Sequence, residues 1–239
     1  MRKFWITFLP AAFLVLGGCA ADNIELTNKV IDEDDEDEEE DVPDVLDPDA
    51  EAFTFSSTGD PESSDDISNS VFTRIITITY ADGSASVDGD DLGYVQCDGA
   101  HVTVTNPGTE CVVYALKGST SDGSFNLYSE RKQALLLDGV SITNPAGAAI
   151  NNQSKKRTFV MVEGSNSLSD GASASYSTSD DDLRAVFFSE GQLVFSGSGT
   201  LHVTACNSQG KSGISSDDYV RIMDGPTLEA QTGQSVLDT

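Results

Sequence analysis

The feature that most constrains the fold is a glycine-centred pattern that recurs four times in the second half of the chain. Short runs of alternating apolar residues flank Gly139, Gly164, Gly197 and Gly225, at intervals of 25, 33 and 28 residues. Glycine adopts the positive φ that a sharp turn requires. One such unit cannot bury its own apolar face, whereas a stack of units can. The repeat therefore predicts an all-β fold in which the units stack as a solenoid.

Upstream of the repeat, short runs rich in β-branched and aromatic residues predict further strands. Residues 72–80 read FTRIITITY, and similar runs occupy 94–97, 101–105, 112–116 and 124–128. Gly, Asn, Asp and Pro separate the runs, as in turns, and no stretch has helical periodicity. An all-β sandwich also suits many short strands at close spacing. The glycine-centred repeat favours the solenoid.

The first residues resemble a bacterial lipoprotein signal peptide. Arg2 and Lys3 precede an apolar run from 4 to 16 that ends in Leu-Gly-Gly-Cys at Cys19. The run is shorter than the roughly 20 residues that a membrane span needs. An ordinary signal peptide with an incidental cysteine is the alternative. The resemblance implies that residues 1–18 are removed and that Cys19 carries a lipid. That lipid would be the only contact with the membrane and would hold the protein on a bacterial outer membrane or cell surface.

Residues 19–66 have the composition of a tether. Residues 32–41 are ten consecutive acids, and residues 1–66 hold 20 of the 40 acidic residues but 3 of the 13 basic ones. Such a run repels itself and cannot bury a core, so we expect a disordered, solvated linker before a folded domain at 67–239. Calcium capture or surface export is an alternative role. The net charge of −27 argues against nucleic-acid binding, which requires Lys and Arg.

Five blocks follow one another in an order that resembles a known family. They read YALKGSTSDGSF (114–125), ALLLDGVSITNPAGAAI (134–150), FVMVEGSNSLSDGA (159–172), AVFFSEGQLVFSGSGTLHVTA (185–205) and GKSGISSDDYVRIMDG (210–225). The family comprises secreted bacterial carbohydrate-binding proteins, and it is related in fold to pectate lyases, particularly polysaccharide lyase family nine. The resemblance covers residues 75–230. It implies a right-handed parallel β-helix and calcium-assisted binding of plant cell-wall polysaccharide such as cellulose or polygalacturonate.

The chain departs from this resemblance at its C-terminal end. Members of the family usually continue through several further coils, whereas this sequence stops at Thr239 soon after a predicted strand. We therefore expect an open sheet edge there, or a C-terminally incomplete domain.

Three acidic clusters are candidate calcium sites. They are Asp180-Asp181-Asp182 in the longest interval, Asp217-Asp218 between the last two repeats, and Asp88, Asp90 and Asp91 near the start of the domain. Calcium binds six to eight oxygens, which acidic loops on adjacent coils can supply. Each cluster also suits an ordinary solvated turn, because Asp is common in turns. The family resemblance favours Asp217 and Asp218, which fall within a matched block.

A lyase activity would need a base as well as calcium. The resemblance to pectate lyases makes Lys211, six residues before Asp217, the candidate, because a lysine abstracts the proton in such enzymes. Lys211 also suits a surface charge in a glycine-rich turn. His101 and His202 alternate with apolar residues and are predicted to be structural or exposed strand residues. A lyase and a non-enzymatic surface adhesin are the alternatives to a carbohydrate-binding protein.

Sugar contacts would come from tyrosine and from one basic cluster. The mature chain has no Trp, so stacking on sugar rings falls to Tyr94, Tyr128, Tyr176 or Tyr219. Lys155-Lys156-Arg157 is the one basic run of the acidic domain. Arg157 could bind a uronate carboxylate with two hydrogen bonds, or the run could be a charged loop.

The remaining cysteines are ambiguous. Cys97, Cys111 and Cys206 are an odd number for an exported protein. Cys97 and Cys111 could form a bridge, but we expect buried thiols, since free Cys packs as a small apolar side chain.

Overall fold

The computed structural model describes residues 64–108, 110–172, 174, 185–206, 212–231 and 237–238. Within these ranges the protein is all-β, with seventeen strands, one 3₁₀ turn at Ile67–Asn69 and no α-helix. The predicted fold class is confirmed at this level. No helix of the described residues is long and apolar enough to cross a membrane.

Most strands belong to three parallel ladders. Ladder A contains β1 (Arg74–Ala81), β5 (Val112–Thr120), β7 (Gln133–Asn144), β9 (Thr158–Glu163), β12 (Leu193–Gly197) and β15 (Val220–Ile222). Ladder B contains the second halves of β5 and β7, then β10 (Ser165–Asp170), β13 (Thr200–Thr204) and β16 (Thr227–Gln231). Ladder C contains β4 (His101–Asn106), β6 (Ser124–Ser129), β8 (Ile150–Asn152), β11 (Ala185–Ser189), β14 (Ser212–Ser216) and β17 (Leu237–Asp238).

Two antiparallel strands complete the sheets. Strand β2 (Ser84–Asp88) pairs with β1, and β3 (Val95–Asp98) pairs with β4. Their short turns contain Gly83 and Gly99, both at positive φ. Ladders A and B with β2 thus form one ten-stranded mixed sheet, and ladder C with β3 forms a seven-stranded one.

The chain visits the three ladders in a fixed order. After β9, β10 and β11 it returns to ladder A with β12, and after β12, β13 and β14 it returns with β15. We call one such passage through ladders A, B and C a rung. Leu193 pairs with Thr158 of the preceding rung and with Val220 of the next. Contacts between neighbouring strands are therefore made by residues about one repeat apart in sequence.

The four glycines of the repeat lie at the corner between ladders A and B. Gly139, Gly164, Gly197 and Gly225 have φ values of 68°, 67°, 107° and 126°. A Cβ at Gly197 would lie 2.3 Å from the carbonyl oxygen of Val162, whereas one at Gly139 would meet open space. The turn prediction is confirmed, and at Gly197 glycine is also required by the close approach of the preceding rung.

The side chains that face inward from the three ladders form one apolar core. Leu137, Ile142, Phe195 and Leu201, which alternation predicts to be interior, are all at most 1% exposed. Phe195 of ladder A meets Phe187 of ladder C with ring centroids 5.9 Å apart. The ladders therefore share one apolar core, and burial of these large side chains is its main source of stability.

A second apolar cluster lies on the outer face of ladder A, beneath residues 64–73. We call this segment the strap. Its Ile67 and Phe72 are at most 1% exposed and pack in a cluster that also contains Val113, Ala134, Phe159 and Val194. The rings of Phe72 and Phe159 meet edge to face with centroids 6.3 Å apart. Asp65 and Asp66 are buried here, although composition assigned them to the tether.

Candidate functional site

Two of the predicted sugar-binding residues come together at the end of the strap. Arg157 directly precedes β9, and Tyr219 directly precedes β15 two rungs away. A guanidinium Nη2 of Arg157 donates a hydrogen bond of 3.0 Å to the hydroxyl of Tyr219. Arg157 Nη1 also donates to the carbonyl oxygen of Ser64 at 3.1 Å. The ladder register therefore aligns these side chains on one face.

Asp65 of the strap binds both of these residues and a third. Its Oδ1 accepts a hydrogen bond from the hydroxyl of Tyr219, and its Oδ2 accepts one of 2.8 Å from Nη1 of Arg221. Nε of Arg157 lies 3.0 Å from Oδ1. The Asp65 side chain is 8% exposed, so these contacts compensate the burial of its charge. We call Asp65, Arg157, Tyr219 and Arg221 the clasp.

The clasp changes the acidity of its tyrosine. The pKa of Tyr219 is raised, first because burial disfavours the phenolate and second because the hydroxyl donates to the Asp65 carboxylate. The positive charge of Arg157 acts in the opposite direction. Tyr219 is therefore a neutral hydrogen-bond donor around neutral pH.

The outer face of ladder B is a second candidate surface, and we call it the hydroxyl face. Its outward residues alternate with buried ones and lie in register from strand to strand. Nine of the twelve carry a hydroxyl group: Ser119, Ser141, Thr143, Ser165, Ser167, Ser169, Thr200, His202, Thr204, Thr227, Glu229 and Gln231. None of the twelve is buried. The one acid, Glu229, lies 2.9 Å from Nδ1 of His202.

The predicted calcium ligands are placed on exposed turns where the structure describes them. Asp217 and Asp218 follow β14 and are exposed. The Asp217 amide donates to the carbonyl oxygen of Ser189 at 2.9 Å, and the Asp218 amide donates to Oγ of Ser216. Glu190 follows Ser189, which pairs with Ser216. Glu190 and Asp217 therefore occupy neighbouring positions on adjacent rungs.

The acidic cluster near the start of the domain has other partners. Asp90 accepts hydrogen bonds from the amides of Tyr94 and Val95, which fixes the turn before β3. Asp91 lies 3.4 Å from Arg74. Across the described residues, no group of three or more His, Cys, Asp or Glu side chains is arranged to hold a metal ion.

Histidine, tyrosine and cysteine occupy varied positions. His101 and His202 lie on strands β4 and β13 with side chains 42% and 47% exposed, consistent with the predicted strand positions. Tyr128 is exposed on ladder C, whereas Tyr94 is buried. The expectation of buried thiols is wrong for Cys97, which is exposed, whereas Cys111 is half-buried; Cys206 is exposed as well. Cys97 lies on β3, a strand on which no residue is fully buried.

Several predicted residues lie outside the described part of the chain. These are Cys19, Tyr176, Asp180, Asp181, Asp182 and Lys211. The sequence analysis missed Asp65 and Arg221. Asp65 lies in an acidic stretch that reads as tether, and its partners are more than 90 residues away, so no local pattern marks either residue.

The described residues thus form an all-β protein with parallel ladders, a polar exposed face and two arginines that converge on one carboxylate. A family model described as carbohydrate-binding domain-containing protein matches residues 98–234, and the chain belongs to this family. No curated protein matches the sequence.

One solved structure is similar to the chain, the gadolinium derivative of the polysaccharide lyase-like protein from C. thermocellum. The two are 25% identical and superpose with a TM-score of 0.53. The match covers 65% of this chain and 61% of that one, so the chain spans less than two thirds of the length of that protein.

Proposed function

We propose that this protein is a lipid-anchored carbohydrate-binding protein that holds plant cell-wall polysaccharide on its hydroxyl face. The main support is the in-register array of Ser and Thr on ladder B, in a chain that belongs to a carbohydrate-binding family. Neighbouring strands lie about 4.8 Å apart, so the array offers hydroxyl groups at regular intervals. Each hydroxyl both donates and accepts hydrogen bonds, as sugar hydroxyls do.

Charge supports the choice of this face. The chain carries a net charge of −27, while the hydroxyl face has one acid that is paired with His202. A neutral glycan such as cellulose offers hydroxyl groups and no charges, so a face of mostly uncharged hydrogen-bonding groups suits it. Tyr176, outside the described residues, remains a proposed stacking residue.

Binding to cellulose by wild type and by a face variant tests the proposal. Ser141→Gln with Ser167→Gln places two longer side chains on paired positions of the hydroxyl face. We expect affinity for cellulose to fall roughly tenfold, equivalent to about 1.4 kcal/mol. Thr103→Gln with Thr105→Gln, on the outer face of ladder C, is the matched control and should bind as wild type. Equal binding by all three would exclude the hydroxyl face, and no glycan binding by wild type would exclude the function.

We also propose that the domain winds as a right-handed parallel β-helix. The recurring order of ladders A, B and C, the parallel register and the glycine corners support it. An experimental structure in which the rungs wind left-handed, or do not close around the core, would overturn it.

Calcium assistance is proposed for the Asp217 side of the molecule. The described residues offer two carboxylates on adjacent rungs there, Glu190 and Asp217, with Asp218 next along the chain. These do not make a complete site by themselves, so backbone oxygens, water or Asp180–Asp182 would supply the remaining ligands. If calcium binds, millimolar calcium raises the melting temperature of wild type and not of Asp217→Asn with Asp218→Asn. A melting temperature and glycan affinity that chelation leaves unchanged would rule calcium out.

The membrane anchor is proposed at Cys19, on an acidic tether from residue 19 to the start of the strap. Cys19→Ser should release the protein from the membrane fraction or block its maturation. Normal processing and full membrane retention of the variant would contradict the anchor, independently of glycan binding.

A further inference from the structure

We propose that Arg157, Tyr219 and Arg221 form a carboxylate-binding site that Asp65 of the strap occupies, and that a uronic acid of an acidic polysaccharide competes with Asp65 for it. This rests on the proposed carbohydrate binding and adds to it a separate site for acidic polysaccharide and an intramolecular competitor. The site lies on ladder A, apart from the hydroxyl face of ladder B.

The geometry is that of carboxylate recognition. Oδ1 of Asp65 receives the hydroxyl of Tyr219 and lies 3.0 Å from Nε of Arg157, while Oδ2 receives Nη1 of Arg221 at 2.8 Å. Two guanidinium groups and one neutral hydroxyl donor thus surround a single carboxylate. Arginine suits this task because its planar array of donors matches the two carboxylate oxygens.

Asp65 does not use every donor that the site offers. Nε of Arg157 is buried and, although close to Oδ1, is not aligned for a hydrogen bond with any group of the described residues. A buried donor without an acceptor is unfavourable. A sugar acid carries a ring oxygen and hydroxyl groups beside its carboxylate, so it brings acceptors that an aspartate side chain lacks.

The position of Asp65 in the strap makes exchange feasible. Asp65 precedes the 3₁₀ turn at Ile67–Asn69, and the apolar anchors Ile67 and Phe72 come after it. Release of Asp65 therefore leaves the buried part of the strap in place. The Arg221 side chain is 43% exposed, which gives a ligand an approach from solvent. Lys155 and Lys156 precede Arg157 and make this corner the basic part of an acidic chain.

The test compares Asp65→Asn with wild type in binding polygalacturonate and cellulose, by calorimetry at fixed salt. Asn keeps the shape of Asp but removes the competing charge. We expect affinity for polygalacturonate to rise about tenfold, with affinity for cellulose unchanged. Adding Arg221→Gln to Asp65→Asn should abolish the gain.

Glu110→Gln is the matched control. Glu110 pairs with Arg74 at 2.8 Å, so this variant also removes one negative charge from an arginine, but away from the clasp and with Asp91 still beside Arg74. It should bind polygalacturonate as wild type does. Equal gains in Glu110→Gln and Asp65→Asn would reduce the effect to net charge and overturn the proposal, as would no gain in Asp65→Asn.

Arg221→Gln alone tests the carboxylate-binding site if Asp65→Asn does not fold. The Arg221 side chain is about half exposed, so the fold tolerates its loss more readily than that of Asp65. We expect a several-fold loss of polygalacturonate affinity, and unchanged affinity in a folded variant would overturn the proposal. Cellulose binding by wild type separates the proposed function from the carboxylate site. If wild type binds cellulose but no variant changes the affinity for polygalacturonate, the carboxylate site is wrong and the proposed function stands.

Discussion

The interior of the stacked ladders and the strap over ladder A differ in how far apart in sequence their contacting residues lie. Inside, Phe195 packs in a ladder whose neighbours are Val160 and Ile222, one repeat away on either side. In the clasp, Asp65 binds Tyr219 and Arg221, 154 and 156 residues away. Repeat architectures are stabilised mainly between nearest neighbours. The strap adds to this a direct connection between the start of the domain and its last described rungs.

This difference predicts that interior variants and strap variants lose stability in different ways. An interior gap weakens the whole stack, because neighbouring rungs share one core. A strap variant opens a local segment and leaves the ladders paired.

The largest loss of stability is expected for Phe195→Ala. Phe195 is fully buried and contacts Phe187 across the core, so truncation should lower the free energy of unfolding by about 3–5 kcal/mol. Urea denaturation measures it. Ile222→Ala, in the last described strand of ladder A and 44% exposed, is the control and should cost far less. Similar costs for the two would mean that the ladders do not share a common core.

A smaller and local effect is expected for Phe72→Ala. Phe72 is as buried as Phe195, but its cluster lies on the outer face of ladder A, where the strap can move to fill a gap. We expect a loss of about 2–4 kcal/mol. Hydrogen exchange should show faster exchange in residues 64–73 with the protection of β9 and β12 retained. Loss of protection throughout the ladders would show that the strap and the interior unfold as one unit.

The same contrast explains what could be predicted from sequence. The strands, the glycine corners and the inward positions of Leu137 and Phe195 follow from alternation and turn chemistry, which are local. The clasp depends on which residues meet across many rungs, and a single sequence carries no local sign of that. Composition misassigned Asp65 and Asp66, because in the sequence a buried acid of the strap looks the same as an acid of a solvated tether.

One local signal for the strap was present. Residues 159–162 read FVMV and are apolar on both sides of strand β9, with Phe159 and Met161 outward and Val160 and Val162 inward. A strand that is apolar on both faces is expected to be covered on both. The neighbouring hydroxyl face alternates instead, as Ser165 to Ser169 do. The sequence therefore indicated that ladder A is covered, but not by which residues.

The smallest effect, and the one most specific to the clasp, concerns Tyr219 at alkaline pH. Its pKa in the folded protein is raised by burial and by the hydrogen bond to Asp65, above an unfolded value of about 10. A raised pKa means that the folded state holds the proton more tightly. The stability it contributes is therefore complete below pH about 10 and is lost as pH rises further. The pKa values of interior Tyr80 and Tyr114 are raised by burial too, so wild type loses stability at high pH from both regions.

Tyr219→Phe separates the contribution of the clasp to the loss of stability at high pH from that of the interior tyrosines. At neutral pH the variant should be about 1 kcal/mol less stable than wild type, because it lacks the hydroxyl that joins Asp65 to Arg157. As pH rises above about 10, wild type also loses the contribution of Tyr219 while the variant has none to lose, so the difference between them should shrink. Urea denaturation at about pH 7, 9, 10 and 11 measures this, with Tyr128→Phe, at an exposed position of ladder C, as the control. A difference that stays constant across this range would mean that Tyr219 ionises equally well in the folded and unfolded chain, and that the clasp does not hold its proton.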